Sequence, residues 1–117
     1  MSKDTGFSIS SAERYSLALF ELSEENNLLS QIEEQSLSVL NLINQSKDFF
    51  NLIKDPTTSK EDLSKVINKI ADVNKFDNLF KNFLNFLIQK RRFFFIERIL
   101  KSSVSYTHLR AHETRED

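Results

Sequence analysis

Apolar side chains recur along this chain at three- and four-residue intervals, and no stretch alternates with period two. The first such pattern opens where Ser10 is followed by Glu13, the spacing of a capping box, which predicts a helix start there. Ala12, Tyr15, Ala18, Leu19 and Leu22 then follow the period of about 3.6 residues, while Leu17 and Phe20 fall on a second, nearly opposite strip. The helix therefore has two sides to bury. It is expected to end around Asn26 and Asn27, because asparagine readily leaves helical geometry.

The pattern predicts five further helices. One covers roughly 28–44, with Leu29, Ile32, Ser36, Val39, Leu40 and Ile43 in register. Ser46 is placed to cap a short helix over 47–53 that carries Phe49, Phe50 and Ile53. Asp55 precedes Pro56 and is pushed out of helical geometry, and Thr58 with Glu61 repeats the capping-box spacing. Leu63, Val66, Ile67, Ile70 and Val73 mark the fourth helix. The fifth, over about 76–90, is the most apolar: Phe76, Leu79, Phe80, Phe83, Phe86 and Leu87 form one face, widened by Leu84 and Ile88. Its apolar arc covers about half the cylinder, more than the ~100° stripe of a helix resting on one neighbour. After a polar kink over 89–92, Phe93, Phe94, Phe95, Ile96, Ile99 and Leu100 mark the sixth helix. Three adjacent phenylalanines span ~200° of a helix, so they cannot all point one way. The expected fold is all-α, a compact bundle of about six helices joined by short loops.

Composition narrows the chemistry. The 117 residues suffice for one domain with a real core but not for two. A net charge of −1 offers no broad attraction to nucleic acid or anionic lipid. The absence of cysteine excludes disulfides, thiolate catalysis and thiolate metal sites. One glycine, Gly6, cannot build a phosphate-cradling loop. The start, MSKDTGFSISS, lacks the apolar core of a signal peptide, and no apolar run exceeds four residues. Direct membrane insertion is therefore not expected; a cytosolic protein, or one seated on a membrane complex, is.

No histidine precedes position 108, so histidine relays and histidine-ligated metals are excluded from 1–103. The acid pairs Glu24-Glu25, Glu33-Glu34 and Glu61-Asp62 point ~100° apart on a helix and read as solvated charge rather than as catalytic pairs. Lys90-Arg91-Arg92 is the one basic cluster, suited to capping carbonyls at a helix corner; nucleic-acid contact is not expected, because no stacking aromatics are interleaved with it. No catalytic residue, cofactor or metal is expected. The surplus of apolar surface on the first and fifth helices has two readings. One is a phenylalanine-rich core, the other a groove that receives an amphipathic helix from a partner.

Three segments carry a family resemblance: AERYSLALFELSEENNLL, FFNLIKDPTTSKED and NFLNFLIQKRRFFFIERIL. In this order and spacing they resemble the ATP synthase subunit delta family, which includes the mitochondrial oligomycin-sensitivity-conferring protein. The likeness covers about residues 9–101. It departs from the family at Ser16, where alanine is usual, and at Arg91-Arg92, where the family has a Gly-Arg corner. The resemblance implies a non-catalytic stator subunit, whose amino-terminal six-helix domain grips the amino-terminal helix of an alpha subunit between its first and fifth helices. Residue by residue, Tyr15 and Ala18 match the first-helix side of that groove, and Phe83 and Phe86 the fifth-helix side. Leu22 and Leu79 extend the same strips by one turn. A peripheral location on the cytoplasmic side of the bacterial inner membrane is implied too, with b subunits of the stalk held through a second domain that is expected to be missing here. The alternative from the residues alone is a stand-alone helical adaptor.

The composition changes at residue 104. Before it Asn, Lys, Ile and Phe abound; from Val104 onward none of them occurs. VSYTHLRAHET resembles the conceptual translation of a transposase-type sequencing adapter. The expectation is thus a native domain over 1–103 and a non-native, disordered tail over 104–117. His108 and His112 stand one helical turn apart, a spacing that can hold zinc, but Glu113 points elsewhere and no third ligand is in reach.

Overall fold

The computed structural model describes the backbone of residues 2–116 and the side chains of residues 11–108. Six helices follow one another: α1 (Ser2–Glu25), α2 (Leu29–Gln45), α3 (Lys47–Lys54), α4 (Lys60–Val73), α5 (Asn78–Gln89) and α6 (Ile96–Glu116). A 3-10 turn over Phe93–Phe95 leads into α6, and no strand occurs among the described residues. The all-α bundle is therefore the fold. Within the turn Phe93 is buried, Phe94 exposed and Phe95 half-buried, as their angular spread requires.

Two of the helix starts move. Ser10 and Glu13 do not begin α1, whose helical backbone already runs from Ser2. The fourth helix is capped by Ser59 rather than Thr58: Ser59 is extended, and its Oγ accepts from the Asp62 N–H at 3.1 Å. Thr58 instead donates its hydroxyl to the Leu52 carbonyl, tying the loop back to α3. Ser46 caps α3 as expected, accepting from the Phe49 N–H at 3.1 Å. Between these helices Asp55 accepts from both the N–H and the hydroxyl of Thr57, and the hydroxyl bond above all holds its carboxyl below the usual range.

Three helices end the same way without glycine. Asn27, Lys75 and Arg91 take left-handed φ values of 58, 55 and 59°. In each case the next residue's N–H returns to a carbonyl five positions back: Leu28 to Ser23, Phe76 to Ala71 and Arg92 to Leu87. These are Schellman caps, and Leu28 and Phe76 add the apolar contact that accompanies them.

Packing centres on α6, which lies along both α1 and α2, while α4 rests on α5 and α5 touches α1. Leu19, Phe80, Leu84, Leu87, Ile96, Ile99 and Leu100 have no exposed surface. A reciprocal pair joins α2 to the start of α5: Gln35 donates to the Asp77 carboxylate at 2.8 Å and accepts from the Asp77 N–H at 3.1 Å. Between α4 and α5, Asn85 accepts from the Ser64 hydroxyl and donates to Asn68.

Helix α6 continues to Glu116, with Val104, Tyr106 and Thr107 half-buried. On α1, Phe20 presents a ring 5.8 Å from that of Tyr106, so this residue of the second apolar strip has a neighbour on α6. His108 Nε2 lies 2.6 Å from Glu33 Oε2 on α2. The side chains of His112 and Glu113 lie outside the described residues. Among the described residues no cluster of ligand-type side chains could hold a metal, and no helix is long and apolar enough to cross a membrane.

Left-handed φ costs a side chain with a Cβ roughly 1–2 kcal/mol. Lys75→Gly and Arg91→Gly should therefore each raise stability, by about 0.5–1 kcal/mol after glycine's greater unfolded freedom is counted, read as a higher Tm. Gln35→Ala should lower stability by about 1–3 kcal/mol, because the half-buried Asp77 N–H loses its acceptor; urea denaturation measures it.

Candidate partner-binding groove

On α1 the residues that face the core are Ala12, Ser16, Leu19 and Ser23, all buried. Neither serine leaves a hydroxyl wanting: Ser16 donates to the Glu13 carbonyl at 2.9 Å and Ser23 to the Leu19 carbonyl at 2.7 Å. Tyr15, Ala18 and Leu22 fall about a quarter turn away from this strip. Tyr15 is half-buried, Ala18 exposed, and Leu22 is 42% exposed. The sequence pattern had merged Ala12 and Leu19 with these three into one stripe. Their separation is visible once Ser16 and Ser23 are counted as core.

Helix α5 repeats the arrangement. Phe80, Leu84, Leu87 and Ile88 enter the core, and Leu79, Phe83 and Phe86 lie on the flank toward α1. The width of its apolar arc is thus the sum of two faces. Phe83 is buried and closes the floor, Leu79 is half-buried, and Phe86 is 45% exposed. The two flanks meet at Tyr15 and Phe86, whose ring centroids are 6.0 Å apart at 65°, an edge-on contact.

Of the six residues singled out by sequence, the structure joins Tyr15 to Phe86 directly and places the others along the same two flanks. Phe83 serves the core as much as the groove. One groove residue was missed: Lys90, whose Nζ sits 5.7 Å above the Phe86 ring. It follows Phe86 by four residues, the spacing at which helical side chains meet, and that was its available signal. What the site offers is apolar and aromatic area beside a small residue, with one cation at its edge.

The chain is similar to known proteins. A family model described as "ATP synthase delta (OSCP) subunit" matches residues 12–115. The chain is 50% identical over 115 residues to ATP synthase subunit delta of Pelagibacter ubique (strain HTCC1062), covering 98% of this chain and 62% of that protein. It is 34% identical over 88 residues to the subunit delta of Clostridium botulinum (strain Loch Maree / Type A3), covering 75% of this chain and 49% of that one. The fold superimposes on a chain in the cryo-EM structure of the Toxoplasma gondii mitochondrial ATP synthase hexamer with a TM-score of 0.74 and 26% identity, over 78% of this chain and 51% of the other. The chain therefore spans between about half and three-fifths of these relatives' lengths.

The division into core and flank predicts unequal costs in the free protein. Phe83→Ala should lose about 3–5 kcal/mol in urea denaturation, the cost of emptying a core position. Ala18→Asp should lose only about 0.5 kcal/mol, the helix-propensity difference at an exposed site.

Proposed function

The chain belongs to the ATP synthase delta (OSCP) subunit family, and from that premise we propose that it is a non-catalytic stator element that holds the amino-terminal helix of an alpha subunit in the α1–α5 groove. The observation that carries this reading is the exposure of Ala18, Leu22 and Phe86 on the two helices that the family resemblance assigns to alpha binding. An adaptor unrelated to the synthase, the alternative from the residues alone, is set aside by the family membership.

The groove supplies what such a role needs. Small Ala18 lets a partner backbone approach closely, and Tyr15, Leu22, Leu79 and Phe86 supply apolar area around it. Completing the burial of a side chain such as Phe86 contributes up to roughly 1.5–3 kcal/mol, so a few anchors outweigh the ordering cost of the docked helix. The role is mechanical: a stator resists the torque of a turning rotor, and its residues bind without reacting. A peripheral seat at the bacterial inner membrane follows from the same reading, through the assembly rather than through a span of this chain. Contact with the b subunits is assigned to the part of the family's length that these residues do not span.

Isothermal titration with a synthetic peptide of the Pelagibacter ubique alpha-subunit amino-terminal helix tests the reading. Saturable one-to-one binding is expected, weakened at least about tenfold by Ala18→Asp while the fold is retained. A folded chain that gives no heat with the peptide would sink it.

A further inference from the structure

A second cavity lies on the opposite side of α5 from the groove, and none of the six groove residues lines it. Ile88, which does line it, stands two positions from Phe86 and so points ~200° away around the helix. The cavity has a volume of about 320 Å³, within the ~300–1,000 Å³ of ligand pockets. Ile53, Leu63, Ile88 and Phe93, all buried core residues, contribute its apolar lining. Phe94 also lines it and remains 45% exposed, an aromatic ring half in water beside an apolar recess.

The lining charges are mostly of one sign. Lys54, Lys60 and Arg91 stand against a single carboxylate, Asp55. Its Oδ1 accepts from the Thr57 N–H and hydroxyl, and the three cations outnumber this one negative charge. Lys54 donates to the Phe94 carbonyl at 3.2 Å, which fixes the 3-10 turn to the end of α3. Among the described residues neither Lys60 nor Arg91 makes an ion pair. Arg91 holds a left-handed φ at a position where glycine costs less, and its side chain lines the cavity.

We propose that this cavity is a second recognition site, which takes an acidic peptide segment through one aromatic or aliphatic anchor, with its flanking carboxylates on Lys60 and Arg91. The apolar lining sets the anchor, and the surplus of cations over Asp55 sets the sign of its neighbours. Guanidinium and carboxylate pair in a bidentate geometry, which gives Arg91 the larger share of the selectivity.

Fluorescence anisotropy with the 117-residue chain and a labelled acetyl-Asp-Glu-Phe-Leu-Glu-Asp peptide tests the site. Saturable binding is expected, weakened at least about tenfold by each of Arg91→Gly, Lys60→Glu and Phe94→Ala, and by salt near 0.5 M. Arg91→Gly is informative because it should stabilise the fold while removing the cation, so lost binding cannot be lost folding. Phe86→Ala should leave the affinity unchanged. The proposal is overturned by any of four results: no saturation below about 1 mM, full affinity in Arg91→Gly, equal binding of a peptide with lysines for its acids, or displacement from the groove in Phe86→Ala. Competition by free 3-phenylpropionate at the peptide's own concentration would also overturn it, in favour of a small-molecule carboxylate.

Discussion

Among the described residues of α1, three of the four buried side chains are no larger than serine: Ala12, Ser16 and Ser23, with Leu19 between them. Because the hydroxyls bond back to their own helix, this strip needs no polar partner and can lie flat against a neighbour. Helix α6 fills that place, with Ile96, Ile99 and Leu100 fully buried. The larger residues of α1 must then go elsewhere. Tyr15 and Leu22 are displaced to the flank, where α5 is the next helix, and the groove is the consequence.

Helix α5 faces a matching constraint, since it must serve the core, α4 and α1 at once. Its deep residues, Phe80, Leu84 and Leu87, are matched by a polar contact to α4 through Asn85 and by the Gln35 clamp on its first turn. Pinned at its start and along one side, it presents a fixed flank. A groove between two helices held in this way is already shaped before anything enters it, which lowers the ordering cost of binding.

The turns supply a different lesson. With one glycine in the chain, the left-handed corners after α1, α4 and α5 fall to Asn27, Lys75 and Arg91. Asparagine tolerates that geometry, whereas lysine and arginine hold it at some cost because the following residue returns its N–H to the helix. The departure from the family's Gly-Arg corner is thus structurally absorbed: Arg91 takes the backbone conformation that glycine would take, and adds a charge.

Helix number, order and class were legible in the sequence, because a 3.6-residue apolar period and local capping chemistry are properties of a segment on its own. Ser46 and the spread of Phe93, Phe94 and Phe95 were read correctly for that reason. The two-sided burial of α1 and α5 was also legible, as apolar arcs too wide for one neighbour. Tertiary structure alone decided how each arc divides. Ser16 and Ser23 look polar in sequence, yet they are core because α6 lies over them; Ala18 and Leu22 look like core, yet they face outward. Likewise Tyr106 is half-buried beside Phe20, a residue far away in sequence. Periodicity fixes the angle of a side chain about its own axis, whereas burial depends on which neighbour occupies that angle, and only the packed bundle supplies the neighbour.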